Sequence, residues 1–320
     1  ISHKLNEIAE IADSITIIRD GKTIESLDVT AGGVDEDRII RGMVGRALES
    51  RFPEHTSTIG PTLFEVRDWT IEHPQIPGRL ICNHSNFYVR RGEIVGFAGL
   101  MGAGRTELAR SIFGRTYGTY LGGQIFINDE EVTIPSVSSA IAHGVAYVPE
   151  DRKVLGLNLL DNVKDTIVSA GIKQISRRTV IDAEAEVQAA EAYRKSMNIK
   201  ATSINVNVGT LSGGNQQKVV LAKWMFAQPS LAILDEPTRG IDVGAKYEIY
   251  GLINRLADQG KGVVMISSEL PELLGVCDRI YTVFEGRITG EMNAVDATQE
   301  SLMRLMTDTA NQPAAATVQN

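Results

Sequence analysis

The chain has 320 residues, 43% hydrophobic and 22% charged, an ordinary globular balance with length enough for one large domain or two modest ones. A formal net charge of -8 argues against nucleic acid as the main partner, and no apolar run approaches the roughly 18 residues of a spanning helix. Two cysteines, Cys82 and Cys277, offer neither a metal spacing nor a disulfide framework, so a reducing cytosol is the expected compartment.

The chain opens without Met or signal peptide on Ile1-Ser2-His3-Lys4, and this opening is repeated later. Ile1 to Ile8 lines up with Ile266 to Leu273, and Asp13 to Lys22 with Asp278 to Arg287. Both copies read as a strand end, a short helix and an edge hairpin turning at Gly21 or Gly286. Ile39, Ile40, Met43 and Val44 are spaced for an amphipathic helix. Residues 1–50 therefore read as the C-terminal remnant of a first domain, the chain being either a fragment with that domain largely removed or a truncated gene product. Residues 51–61, with Pro53 to Pro61 rich in Thr, Ser and Gly, read as a linker. A second domain spans 62–308, and 309–320 is small, polar and expected to be disordered.

In the second domain, Leu63 to Arg67 alternates like a half-exposed strand, and Asn86 to Val89 continues an antiparallel sheet. Trp69 reads as a core residue. Glu93 to Ala98 is a buried strand feeding Gly99-Leu100-Met101-Gly102-Ala103-Gly104-Arg105-Thr106 and then a helix. That is P-loop spacing: glycines let the backbone wrap phosphates, and Thr106 offers its hydroxyl to Mg2+. Arg105 stands where the lysine should be, a planar fork in place of a compact ammonium, which weakens binding and slows hydrolysis. Strands at Gln124 to Asn128 and Val145 to Val148 flank a helix around Ser138 to His143, and a charged turn, Pro149-Glu150-Asp151-Arg152, follows. Leu159 to about Lys200 reads as helical, with Ile181, Ala185 and Ala189 in a run rich in Ala and Glu. His73, His84 and His143 are scattered and read as surface residues.

Leu211-Ser212-Gly213-Gly214-Asn215-Gln216-Gln217-Lys218 is a polar turn opening a helix, whose free N–H groups suit a phosphate. Leu231 to Leu234 is a short buried strand delivering Asp235 and Glu236, one carboxylate to hold Mg2+ through water and one to position an attacking water. Arg239-Gly240-Ile241-Asp242 follows, then a helix with its buried stripe at Ile249, Leu252, Ile253 and Leu256. Val263 to Ile266 is another buried strand, with Ser268 at its end.

The paired motifs at Leu211 to Lys218 and Leu231 to Thr238 resemble the signature and Walker B of ABC ATPases. From Ile1 to about Thr307 the chain resembles the tandem ATP-binding subunits of bacterial monosaccharide importers of the ribose, galactose, arabinose and xylose type. The resemblance implies an α/β P-loop NTPase of ABC ATPase type, with a mostly parallel core sheet, an antiparallel β subdomain and an inserted helical subdomain at about 155–225. In such proteins two domains close head to tail, each ATP lying between one domain's P-loop and the other's signature. By that resemblance Gly99, Gly102, Ala103, Gly104, Arg105 and Thr106 hold ATP, and Thr106 and Asp235 serve Mg2+. Glu236 is catalytic, Glu150 replaces the Q-loop glutamine, Asp242 belongs to the D-loop, and Ser268 replaces the switch histidine. Ser212, Gly213, Gly214 and Gln216 complete the facing site, where His3 is the switch histidine of the first domain. The chain's own site is expected to be degenerate at Arg105, Glu150 and Ser268, and the stretch Ile76 to Arg79 lacks an aromatic for adenine. Implied partners are transmembrane sugar permease subunits and, through them, a periplasmic or lipid-anchored sugar-binding protein, with no nucleic acid. The implied location is peripheral, on the cytoplasmic face of the bacterial cell membrane. Two other functions fit the same motifs: a non-hydrolysing nucleotide-binding module, and a soluble ABC ATPase acting on ribosomes or DNA, which the acidic balance and short helical segment disfavour.

Overall fold

The computed structural model describes residues 11–19, 22–29, 38–39 and 51–307. His3, most of 1–50 and the tail from 309 lie outside the described residues, as does most of the helix read around Ile39 to Val44. A hairpin of β1 (Ser14–Arg19) and β2 (Lys22–Asp28) comes first. Then follow β3 (Thr62–Glu72), β4 (Leu80–Arg90), β5 (Ile94–Gly99), α1 (Arg105–Ile112), β6 (Thr119–Ile127), β7 (Glu130–Val132), α2 (Val137–Ala142) and β8 (Val145–Val148). A mainly helical segment carries α3 (Val163–Val168), the two-residue strands β9 (Ser176–Arg177) and β10 (Val180–Ile181), α4 (Ala183–Ser196) and α5 (Gly213–Phe226). The chain then returns through β11 (Leu231–Asp235), α6 (Val243–Asp258), β12 (Gly262–Ile266), α7 (Leu270–Val276), β13 (Arg279–Phe284), β14 (Arg287–Asn293) and α8 (Gln299–Thr307).

Six strands form the main sheet in the order β14-β13-β5-β12-β11-β8, parallel except for β14. Every residue of β5, β8, β11 and β12 is buried, as strands covered on both faces require. A four-stranded antiparallel sheet, β4-β3-β6-β7, packs beside it. Trp69 is core, its indole N–H donating to Ser111 Oγ at 2.9 Å. Because β12 lies between β5 and β11, the C-terminal ends of all three open on one edge, where parallel sheets place ligands.

The sequence repeat is also a structural one. Ser14 pairs with Asp28 and Arg19 with Lys22, the register slipping between Ile17 and Ile18. In the second copy Arg279 pairs with Asn293 and Phe284 with Arg287, slipping between the corresponding Thr282 and Val283. Residues 51–61 have no regular structure but lie against the domain. Gly60 N–H donates to Arg91 O at 2.8 Å, and the Phe52 ring sits 5.3 Å from that of Tyr250.

The helical reading of Leu159 to Lys200 is corrected. Asn162 caps α3, a 3-10 stretch with non-helical Gly171 follows, and Ile181 lies exposed in the β9–β10 hairpin. Arg178 takes a left-handed φ of 60° in that turn, and Thr179-Val180-Ile181 is β-branched and favours extended backbone. Asp182 then caps α4 by accepting from Glu184 N and Ala185 N.

A buried ion pair ties the sheet's centre to its edge. Glu93 is 0% exposed and accepts from Arg279 Nε at 2.8 Å and Nη2 at 3.1 Å; Arg279 also donates to Tyr88 O and Glu291 Oε1, both at 2.9 Å. Burial works to raise the Glu93 carboxyl, but the bonds from Arg279 and Arg90 hold it below its usual value. Replacing Arg279 with Met should leave this buried carboxylate to Arg90 alone and cost up to about 3–5 kcal/mol, measured as a lowered midpoint in urea unfolding.

Candidate functional site

The turn between β5 and α1 is built by two glycines with left-handed φ, Gly102 at 79° and Gly104 at 102°. A Cβ on Gly104 would stand 2.9 Å from Ile81 O, so the loop's path requires glycine there. Gly104 caps α1 without a side chain, leaving the helix's first N–H groups for an anion. Ala103 is buried under this turn, its carbonyl accepting from Gly286 N at 2.8 Å, and Gly99 ends β5.

Asp235, the last residue of β11, is 0% exposed. Its Oδ2 accepts from Tyr147 OH at 2.9 Å, while Oδ1 has no hydrogen-bond partner. Burial raises its carboxyl, opposed by the Thr106 and Tyr147 hydroxyls. An orphaned buried carboxylate oxygen beside a P-loop threonine is a fitting place for a hard divalent cation such as Mg2+.

Glu236 takes a left-handed φ of 47°, its N–H donating to Ile266 O at 2.9 Å. Its Oε2 accepts from Ser268 Oγ at 3.2 Å and its Oε1 lies 3.8 Å from Arg105 Nη2. Burial raises this carboxyl too, against the charge of Arg105. Arg105 is turned across the strand ends: Nη1 donates to Ser267 O at 2.6 Å, and the side chain is 10% exposed. The fork is thus committed to protein atoms. Ser267 Oγ in turn donates to Glu272 Oε2 at 2.9 Å. The buried Glu272 carboxylate also accepts from Thr238 Oγ1 at 2.8 Å, Lys246 Nζ at 2.8 Å and Tyr250 OH at 2.7 Å.

A second cluster forms around the start of α5. Ser212 precedes the helix but makes no side-chain cap; its Oγ accepts from Asn215 Nδ2 at 2.9 Å, leaving the first N–H groups of Gly213 and Gly214 without a capping oxygen. A Cβ on Gly214 would meet Ala245 Cβ at 2.7 Å, and one on Gly213 would meet Arg152 Nη2 at 2.8 Å. Arg152 Nη1 donates to Arg239 O at 3.0 Å.

Three of the expected site residues have protein partners. Glu150 is ion-paired with Arg239, in the loop after β11. Gln216 is 4% exposed, with Nε2 donating to Val208 O at 3.3 Å. Asp242 accepts from Ala245 N at 2.9 Å as the N-cap of α6. The structure therefore brings together Gly99 to Thr106, Asp235, Glu236 and Ser268, and gathers Ser212 to Gly214 with Gly240 and Arg152 separately. Tyr147 and Glu272 were missed. Each carried a signal: a hydroxyl in the otherwise aliphatic strand Val145-Ala146-Tyr147-Val148, and a carboxylate in the apolar Leu270-Pro271-Glu272-Leu273-Leu274.

Residues 82–239 match the family model described as ABC transporter. The chain is 59% identical over 315 residues to the L-arabinose transport ATP-binding protein of Geobacillus stearothermophilus, covering 98% of this chain and 61% of that one. It is 51% identical to a xylose import ATP-binding protein of Thermoanaerobacter pseudethanolicus, covering 95% and 59%, and 45% identical to a ribose import ATP-binding protein of Bacillus cereus, covering 96% and 60%. It thus spans about three fifths of the length of these curated relatives. Among solved structures, an ATP-binding subunit of an ABC transporter aligns with a TM-score of 0.61 at 22% identity, covering 77% of this chain and 100% of that one. A nucleotide-free ATP-binding cassette aligns at 0.63 and 17%, covering 78% and 96%. These two show the fold.

Burial holds the Asp235 carboxyl above its usual 3.8. Between that value and the raised one the folded chain binds more protons than the unfolded chain, so stability falls as pH rises through the window. Asp235→Asn removes the ionisation. Its thermal midpoint at pH 7 should exceed the unsubstituted chain's, and the gap should close below the usual carboxylate value, in melts followed by circular dichroism.

Proposed function

We propose that this chain, whose residues 82–239 match the family model described as ABC transporter, is the nucleotide-binding, energy-coupling part of a bacterial sugar importer, peripheral on the cytoplasmic face of the membrane. The observation that carries the nucleotide reading is the convergence on one sheet edge of the left-handed Gly102–Gly104 turn, Thr106 and the unpartnered oxygen of Asp235. Glycine N–H groups and the start of α1 hold the phosphates of ATP, and Thr106 and Asp235 hold Mg2+. When bound, that ion neutralises phosphate charge in the transition state.

Glu236 is the residue to orient the attacking water, but its two oxygens are faced by Arg105 and Ser268. Turnover at this site requires the Arg105 fork to leave Glu236 and Ser267, so we assign the site a slow or silent role. A second ATPase domain faces this one head to tail: Ser212, Gly213 and Gly214 complete its site, with His3 as the switch residue there. The hairpin repeated with the same slip in register supports such a tandem. The permease docks on the loop after β8, where Val154, Leu155 and Leu160 stand exposed and apolar. Through the permease the complex meets a periplasmic or lipid-anchored sugar-binding protein. The covering of Glu236 by Arg105 favours one second reading, a module that binds nucleotide without hydrolysing it.

MgATP binding and turnover of this chain test both readings. Binding with little turnover, raised about tenfold by Arg105→Lys, is the expected result, since positioning and charge stabilisation dominate phosphoryl transfer. Brisk turnover abolished by Glu236→Gln would overturn the degenerate assignment, and absence of binding would overturn the nucleotide reading itself.

A further inference from the structure

Tyr147 stands in β8 directly beside β11, in register with Ile233, so Val148 is level with Leu234 and the phenol reaches along the strand to Asp235. Its ring is buried against Phe113, with centroids 5.5 Å apart, and packs there whatever the hydroxyl does. The hydroxyl donates to Asp235 Oδ2 at 2.9 Å. Of the two carboxylate oxygens, this leaves Oδ1 as the free acceptor in a fully buried position. Without the Tyr147 hydroxyl the carboxylate would keep only the nearby Thr106 hydroxyl and could swing about its Cβ–Cγ bond. With Oδ2 pinned by Tyr147, Oδ1 is presented in a fixed direction.

We propose that Tyr147 is a positioning residue for the divalent cation, fixing the rotation of the Asp235 carboxylate so that Oδ1 is presented to the metal's shell. The proposal rests on the nucleotide reading above and goes beyond it in assigning the outer support of the metal ligand to a strand outside the P-loop and outside β11. Hydroxyls that orient a metal-ligating carboxylate act through the ligand, and their loss typically costs on the order of 10–100-fold in metal affinity.

Tyr147→Phe deletes the hydroxyl and keeps the ring. ATP affinity of this chain is measured by calorimetry in excess EDTA and again in excess MgCl2, the ratio of the two being the magnesium-dependent gain. For Tyr147→Phe the affinity in EDTA should stay within about twofold while the gain drops about tenfold. In the Asp235→Asn background, where the ligand is already lost, Tyr147→Phe should change the gain no further, because coupled residues are not additive. Equal weakening in both media would assign Tyr147 to packing alone and overturn the proposal, as would an unchanged gain. A wild-type chain that binds ATP equally with and without magnesium would overturn the proposal but leave nucleotide binding standing. A wild-type chain that binds no ATP in either medium would overturn both.

Discussion

Two successive carboxylates stand at the buried end of one strand, and the surroundings of the site are arranged to tolerate them. A charged carboxylate out of water is costly unless donors or counter-charges meet it. Asp235, at zero exposure, is met by neutral hydroxyls and keeps one oxygen bare. Glu236 is met by a cation and a serine, on a backbone in the left-handed region that L-residues adopt at a cost of about 1–2 kcal/mol. Both carboxyls are held above their usual values by burial. Strain and unrelieved charge at one spot are what a site built to accept a charged ligand stores before the ligand arrives.

Arg105 shows why a substitution of like charge is not conservative. An ammonium at the start of α1 would be a point charge free to follow phosphates. The guanidinium is long enough to span from the β5 turn to the carbonyl of Ser267 and the carboxylate of Glu236, tying the ends of three neighbouring strands together. The charge that a P-loop normally spends on nucleotide is here partly spent on the protein.

Much of this was legible in the sequence because it is local. Buried strands such as Ile94 to Gly99 and Leu231 to Asp235 read as unbroken apolar runs, and the glycine turn between β5 and α1 follows from spacing. The segment from Leu159 to Lys200 misled because Ile181, Ala185 and Ala189 fit a helical period, although the structure leaves Ile181 exposed on a hairpin. Glu150 was read by its position in a loop, yet its partner Arg239 lies far along the chain. Tyr147 was invisible for the same reason: its meaning depends on β8 lying next to β11, a fact of sheet order that periodicity does not encode.

Glu272 is a junction between elements far apart in the chain. One carboxylate bonds Thr238 after β11, Ser267 after β12, and Lys246 and Tyr250 on α6, joining three elements at one buried group. Phe52, where the chain enters the cassette, leans on the ring of Tyr250. An unbroken series of contacts therefore runs Phe52 to Tyr250 to Glu272 to Ser267 to Arg105, joining the point where the chain leaves its linker to the guanidinium that faces Glu236.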